Sequence, residues 1–147
     1  MTIEFKHILV PVDFGEPSQR ALREAIALAQ RFGSQLTIVH VYEIPAYVYT
    51  GAPYVTTDLF GPIEDAAREQ LKKTLIEVQA KVPGAKSILR RGAPSNEILA
   101  AIEDERPDIV VIGTHGRKGV SHALLGSVAE KIVRLSPAPV LTVRHRS

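Results

Sequence analysis

The segment GTHGRKGVSHALLGS, from Gly113 to Ser127, contains four glycines and directly follows the apolar run DIVVI. Glycine loses more conformational freedom on folding than any other residue, so this density indicates a specific requirement. Ser127 opens a run of helical periodicity, and a helix amino terminus presents N–H groups and a partial positive charge that favour phosphate. Arg117 and Lys118 add positive charge. The segment therefore predicts a loop that holds a polyphosphate through backbone amides.

Structural explanations also account for single residues of this segment. Ser127 and Glu130 form a Ser-x-x-Glu capping box, which on its own justifies the serine. Gly113 and Gly116 on their own suit turns. The spacing matches neither the Walker P-loop nor the dinucleotide fingerprint Gly-x-Gly-x-x-Gly. On the sequence alone, capping and phosphate binding both remain open as explanations of Ser127.

The other residues capable of chemistry form no recognisable site. The chain has no cysteine, which excludes disulfides and thiolate metal sites. It also lacks the Gly-x-Ser-x-Gly elbow of a serine hydrolase. The histidines lack metal-ligand spacing and are predicted to be structural or surface residues, with His115 and His122 as candidates for phosphate contact. The full set is His7, His40, His115, His122 and His145.

Apolar runs predict the strands that position these residues. They are rich in β-branched residues and lack strict alternation, which is typical of parallel strands covered on both faces. A fifth run, AKSILRR from Ala85, is weaker. The four strong runs are HILVPV from His7, QLTIVHVY from Gln35, DIVVIG from Asp108 and PVLTV from Pro139.

Segments of helical period lie between the strands. In the first, Pro17 suits the first turn and Gly33 the stop, and Ser95 is a predicted cap of the third. The segments are PSQRALREAIALAQRFG from Pro17, IEDAAREQLKKTLIEVQAKV from Ile63, SNEILAAIEDE from Ser95 and SVAEKIVRL from Ser127. The first has an apolar face of Leu22, Ala25, Ile26, Ala29 and Phe32.

The alternation of strand and helix predicts an α/β protein with an open five-stranded parallel sheet and helices on both faces. The length predicts a single domain over residues 1–147. One connection interrupts the regular alternation of strands and helices. The segment from Glu43 to Pro62 is long, rich in Pro, Gly and Thr, and contains three of the four tyrosines. A functional loop and a mobile crossover explain it equally well.

Composition narrows the possible partners and the compartment. A net charge of +2 is too small to indicate nucleic-acid binding. The basic tail Arg144, His145 and Arg146 is predicted to be a solvated chain end, with a phosphate contact as the alternative. The amino terminus does not resemble a signal peptide, and no run reaches membrane-spanning length. We therefore expect a cytoplasmic protein without nucleic-acid or membrane partners.

The glycine spacing matches a known pattern. Gly113, two residues, Gly116, nine residues, and then Gly126 and Ser127 resemble the nucleotide-binding motif of the universal stress protein family. The resemblance covers the whole chain, because ILVPVDFGEPSQRAL is similar to the family's first strand and helix. SVAEKIVRLSPAPVLTVR is likewise similar to its last helix and strand.

This resemblance implies a Rossmann-like fold of the adenine nucleotide alpha hydrolase type, with strand order 3-2-1-4-5, and ATP as the ligand with Mg²⁺ or Mn²⁺ held through its phosphates. It implies that Asp13 accepts hydrogen bonds from the ribose and that the Val41 backbone contacts adenine. The nucleotide-binding residues it implies are Pro11, Val12, Asp13, Val41, Gly113, Thr114, Gly116, Arg117, Gly126, Ser127 and Val128. Gly15 departs from the family, where serine is common, and leaves the first helix more weakly capped.

Several functions remain open on the sequence. The first is an ATP-binding stress-response or signalling module, and the second is a slow ATPase or phosphate-transferring enzyme of the same fold. A nucleotide-free interaction domain is a weaker third. The apolar final strand, Pro139 to Arg144, lies at a sheet edge in the implied order and predicts a homodimer through that edge, as the resemblance also implies.

Overall fold

The computed structural model describes residues 4–45, 60–114 and 125–144. Within these ranges, five strands alternate with four helices. The strands are β1 (His7–Pro11), β2 (Gln35–Tyr42), β3 (Lys86–Arg91), β4 (Ile109–Gly113) and β5 (Val140–Val143). The helices are α1 (Glu16–Phe32), α2 (Phe60–Gln79), α3 (Pro94–Glu105) and α4 (Ser127–Leu135).

The strands form one parallel sheet in the order β3-β2-β1-β4-β5. The predicted sheet and the order implied by the resemblance are both confirmed. The order reverses between β1 and β4, which are neighbours in the sheet. Ligands of open α/β sheets bind outside the carboxyl ends of the strands at such a reversal. We therefore expect a ligand site at the carboxyl ends of β1 and β4.

Alternate side chains of β1 enter two separate cores. Ile8 and Val10 pack with α1 and α2 on one face, whereas Leu9 packs with α3 and α4 on the other. All three side chains are fully buried. This two-sided burial is the physical reason why the run HILVPV is apolar throughout rather than alternating.

The ends of α1 follow the sequence prediction. Gly15 is the N-cap residue without a side-chain cap bond, Pro17 lies in the first turn, and Gly33 ends the helix with a left-handed φ of 66°. The last residue of the predicted apolar face is the least buried of the five. Phe32 is 47% exposed, and its ring meets Phe5 edge-on at 5.4 Å between centroids.

Two other helices begin elsewhere than predicted. Ala93 is the N-cap residue of α3, so Ser95 lies inside the first turn and does not cap the helix. α2 begins at Phe60, so the predicted connection does not extend to Pro62, which the first turn of a helix tolerates. Residues 46–59 of that connection lie outside the described residues. α2 also ends at Gln79 rather than Val82, which is buried in the following turn.

None of the helices in the described ranges is both long enough and apolar enough to cross a bilayer.

Candidate functional site

A cavity of about 730 Å³ opens at the carboxyl ends of the strands, in the size range of small-molecule sites. It lies where β1, β2 and β4 end and where α3 and α4 begin. Its lining comprises Pro11, Val12, Asp13, Ser18, Val39, His40, Val41, Tyr42, Glu43, Pro94, Ile98, Ile112, Gly113, Gly126, Ser127, Val128 and Ala129.

One wall is the turn from Val12 to Ser18, which is held by hydrogen bonds of its own. Asp13 donates its backbone N–H to Ser18 Oγ at 3.1 Å, and its Oδ1 accepts the Gly15 N–H at 2.9 Å. Ser18 Oγ in turn donates to the Gly15 carbonyl at 3.2 Å. The Asp13 carboxylate is therefore fixed by the turn, half-buried at the edge of the cavity.

A buried histidine braces the same turn from β2. His40 is 8% exposed, and its Nδ1 lies 2.8 Å from the carbonyl oxygen of Val12. Its ring contacts Phe14 at 4.3 Å between centroids. Phe14 adopts a left-handed φ of 66°, which costs a residue with a Cβ roughly 1–2 kcal/mol. Such a conformation persists where its surroundings determine it, as the turn and His40 do here.

The backbone of Val41 points into the gap where β1 leaves the sheet. Val39 accepts the Val12 N–H at 2.8 Å on the β1 side, and Tyr42 accepts the Gly92 N–H at 3.1 Å on the β3 side. Since backbone groups alternate between the two edges of a strand, the N–H and C=O of Val41 face the β1 side. The pairing of β1 ends at Pro11 with Val39, so Val41 faces the cavity.

Tyr42 anchors this end of the cavity to α2. Its hydroxyl donates to Glu64 Oε1 at 3.1 Å. Burial and the Glu64 carboxylate both raise the pKa of the phenol above its ordinary value, so Tyr42 stays a neutral donor. Glu64 also pairs with Arg68 at 3.3 Å. The first turns of α2 are thereby tied to the end of β2.

The opposite wall begins at Gly113, which explains one of the four glycines by packing. A Cβ on Gly113 would lie 2.6 Å from the carbonyl oxygen of Pro17, closer than any side chain tolerates. The first turn of α1 therefore sits directly on the end of β4. The chain returns to this point at Gly126, whose N–H donates to the carbonyl of Thr114.

The start of α4 does not contain the capping box. Gly126 is the N-cap residue, because its carbonyl accepts the Glu130 N–H at 2.9 Å. Ser127 is already the first helical residue and is exposed. In the described part of the chain, no side chain caps this helix, and Glu130 bonds instead to Arg134 at 3.0 Å. The capping interpretation of Ser127 is wrong for this reason.

Most of the residues singled out from the sequence meet at this cavity. Thr114 is the exception among those described, because it is buried beside the cavity rather than in its lining. Gly116 and Arg117 lie outside the described residues. The residues that line the cavity are Pro11, Val12, Asp13, Val41, Gly113, Gly126, Ser127 and Val128.

Sequence reasoning missed Ser18, His40 and Tyr42 as parts of this site. His40 was predicted to be a structural or surface residue, and it has a structural role. The spacing of the histidines gave no indication that His40 would line the cavity. His7 bonds to Thr37 at 2.8 Å, at the other end of β1. The remaining histidines lie outside the described residues. No three His, Asp or Glu side chains among the described residues are grouped as metal ligands.

Both the sequence and the structure of this chain are similar to those of known proteins. The family model described as "Universal stress protein family" matches residues 4–144. A universal stress protein of Thermus aquaticus, encoded in the QAH/OAS sulfhydrylase 3′ region, is 36% identical over 95% of this chain and 99% of its own length. Universal stress protein MJ0577 of Methanocaldococcus jannaschii is 30% identical over all of this chain and 99% of its own. The structure of UspA from Lactobacillus plantarum matches with a TM-score of 0.83, at 26% identity over 97% of this chain and all of its own.

Proposed function

This chain belongs to the universal stress protein family, and we propose that it binds ATP and acts as a nucleotide-dependent stress-response module. One observation carries the proposal. A single cavity brings together a fixed carboxylate at Asp13, the outward-facing backbone of Val41 and the start of α4 at Ser127, which none of the described side chains caps. A carboxylate suits ribose hydroxyls, a strand's N–H and C=O suit the edge of adenine, and a helix start suits phosphates.

Two solved structures of the same fold carry adenine nucleotides. A universal stress protein in complex with cAMP matches with a TM-score of 0.73, at 21% identity over 97% of this chain and 99% of its own. The Arabidopsis thaliana protein At3g01520 with AMP bound matches with a TM-score of 0.70, at 18% identity over 97% of this chain and 93% of its own. They support an adenine nucleotide as the ligand class. We choose ATP because the glycine spacing from Gly113 to Ser127 resembles the motif of ATP-binding members of the family, and because the start of α4 lines the cavity and favours phosphate.

A divalent cation completes the proposal. Mg²⁺ and Mn²⁺ prefer oxygen ligands, which phosphates supply. The carboxylates in the cavity lining are Asp13 and Glu43, and no metal-binding group of His, Asp and Glu occurs among the described residues. The residues present therefore fit an ion held through the nucleotide and supplying countercharge to it, rather than one held by the protein.

The proposal is that the protein binds ATP without hydrolysing it efficiently. The titratable side chains of the lining are Asp13, His40, Tyr42 and Glu43. Three of these four side chains already make hydrogen bonds within the protein, which argues against their acting as a general base. Asp13 accepts the Gly15 N–H, His40 bonds to the Val12 carbonyl, and Tyr42 donates to Glu64. A turnover assay on purified protein tests this form: product that exceeds enzyme many-fold within minutes supports the ATPase or phosphate-transferring alternative instead.

Thermal unfolding with added nucleotide tests the binding itself. A ligand that binds only the folded state raises its stability by RT ln(1 + [L]/Kd), so millimolar Mg-ATP is expected to raise the Tm. AMP and cAMP are run in parallel, and EDTA in place of Mg²⁺ measures the contribution of the ion. The protein is first denatured and its released nucleotide identified by mass spectrometry. Nucleotide-free protein with no shift in any of these ligands would contradict the proposal.

We also propose a homodimer through the open edge of β5. Val110 and Thr114 donate their N–H groups to Pro139 and Val143, so alternate residues of β5 face β4. By the same alternation, Val140 and Thr142 direct their N–H groups to the open edge. The strand carries an exposed apolar side chain, because Leu141 is 39% exposed. A two-fold axis would pair the edge with its own copy and cover this side chain.

This orientation decides which proline variant tests the dimer. Thr142→Pro removes a donor from the open edge alone, where an edge strand tolerates proline. It is expected to yield a folded monomer by light scattering at tens of micromolar, while the unmodified protein is a dimer. Leu141→Pro removes a donor to β4 instead and is expected to lower the Tm. A monomeric unmodified protein would contradict the dimer without touching ATP binding.

A further inference from the structure

The boundary between β1 and β2 contains a missing ladder bond. A parallel ladder that continued past Val39 would bond the Val41 N–H to the Val12 carbonyl. Among the described residues this bond is not formed, and His40 Nδ1 lies 2.8 Å from that carbonyl oxygen. A carbonyl only accepts hydrogen bonds, so Nδ1 carries the hydrogen and donates it. The Val12 carbonyl is thus bonded to the side chain of His40, whereas a continued ladder would bond it to the Val41 N–H.

The same histidine also contacts the turn that follows Val12. Its ring packs against Phe14, which holds a left-handed backbone beside Asp13. Val12 and His40 are both buried, so the bond between them is shielded from water. One side chain therefore contacts both the carbonyl that a continued ladder would offer to Val41 and the turn that carries Asp13.

We propose that His40 is a positioning residue that keeps the Val41 N–H open for an adenine base and holds the Asp13 turn for the ribose. The ligand in this inference rests on the proposed function, whereas the state of the Val41 N–H belongs to the ligand-free protein. Two independent measurements therefore separate the role of His40 from the binding of nucleotide.

Replacing the histidine is expected to close the ladder. In His40→Leu the Val12 carbonyl loses this donor, and the donor that a continued ladder would supply is the Val41 N–H. Amide hydrogen exchange of Val41, followed by NMR without nucleotide, is expected to slow, because a new backbone bond protects it. A merely structural role would loosen the site and speed exchange, so the sign of the change distinguishes the two. Exchange that is unchanged or faster in a folded variant overturns the proposal.

A pair of amide variants controls for lost burial. The side-chain amide of Asn reaches the position of Nδ1, whereas that of Gln extends to the position of Nε2. In His40→Asn the Val41 amide is expected to exchange at the rate of the unmodified protein. In His40→Gln its exchange is expected to slow, as in His40→Leu. If His40→Leu does not fold, the Asn and Gln pair decides: equal exchange in the two overturns the proposal. His7→Leu, which loses a histidine bond at the opposite end of β1, is the matched control and is expected to leave Val41 exchange unchanged.

Nucleotide affinity supplies the second measurement. Isothermal titration with adenosine and with Mg-ATP is expected to show losses of about tenfold for both ligands in His40→Leu and His40→Gln, because base and ribose are common to both. His40→Asn and His7→Leu are expected to bind as the unmodified protein does. Unmodified protein that binds neither ligand overturns the proposed function, and the exchange data then still decide what His40 does to Val41. Equal affinities across folded variants overturn the role of His40 in recognition.

Discussion

Two of the helices that begin beside the cavity, α1 and α4, start in the same backbone conformation and differ in their surroundings. Their N-cap residues are both glycines in the extended region, Gly15 at φ −81° and ψ 167° and Gly126 at φ −69° and ψ 165°. Neither helix has a side-chain cap among the described residues. Because the two N-cap residues have nearly the same backbone conformation, any difference between the two helix starts comes from the residues around them.

α1 satisfies its own first turn. Pro17 has no N–H to leave unpaired, and Ser18 Oγ joins the Gly15 carbonyl to the Asp13 N–H. α4 has no proline in its first turn, and its Ser127 is exposed at the cavity. Among the described residues, one wall of the cavity is thus complete without a ligand and presents a fixed side chain, whereas the other presents backbone donors that a ligand would complete.

The same substitution at both N-cap glycines tests whether α1 and α4 have different roles at the cavity. Gly126→Val places a branched side chain in the cavity and is expected to weaken Mg-ATP binding roughly a hundredfold, about 2.7 kcal/mol. Gly15→Val, at a residue outside the cavity lining, is the matched control and is expected to retain affinity. Calorimetric titration measures both. Both glycines have φ values open to every residue, so both variants are expected to fold.

An equal loss of affinity in the two variants would contradict the assignment of different roles to the two helices. It would mean that any disturbance of a first turn at this edge of the sheet reaches the ligand.

The second test concerns the contact that joins the two walls. Gly113→Ala brings a Cβ against the Pro17 carbonyl, which is backbone and cannot rotate away. The first turn of α1 must then move off β4, at a cost of about 2 kcal/mol of unfolding free energy. Denaturant unfolding measures this loss. Gly84→Ala is the control for adding a methyl group, since no atom lies within 4 Å of its Cβ, although its φ of 92° carries some strain of its own.

A stability of Gly113→Ala equal to that of the unmodified protein would show that the α1 wall is not rigid. The fixed position of Asp13 would then need another explanation.

Asp13→Asn separates the side-chain wall from the backbone wall. The amide oxygen can still accept the Gly15 N–H, so the turn is expected to keep its stability. The lost charge weakens bonds to ribose hydroxyls, and affinity for adenosine and for ATP is expected to fall by about 1.5 kcal/mol in both cases. Asp108→Asn, whose carboxylate accepts the N–H groups of Lys6 and His7 at the far end of β1, is the control. A loss confined to ATP would place Asp13 at the phosphates instead.

The sequence predicts the scaffold of this site better than its details. Buried apolar runs such as HILVPV and DIVVI determine the parallel sheet, because only strands covered on both faces bury such runs completely. The reason for Gly113 could not be predicted, because it depends on where a helix a hundred residues earlier in the chain lies. His40 and Ser18 were missed for a similar reason. Their hydrogen bonds follow from tertiary contacts and from a left-handed turn at Phe14 that no local pattern indicates.

The smallest expected effect belongs to Ser127, and it tests the start of α4 most directly. A serine at the N-cap position would cost the protein stability when replaced, but the structure places Gly126 at that position. Ser127→Ala is therefore expected to change the free energy of unfolding by less than about 0.5 kcal/mol, as exposed substitutions do. Ser127 lines the cavity, so loss of a hydroxyl contact to phosphate is expected to lower Mg-ATP affinity about threefold, the value of one exposed hydrogen bond, while adenosine affinity stays unchanged. Chemical denaturation and titration of both ligands measure the two effects separately. A variant that loses stability and keeps its ATP affinity would restore the capping explanation and leave the phosphates to the backbone of α4 alone.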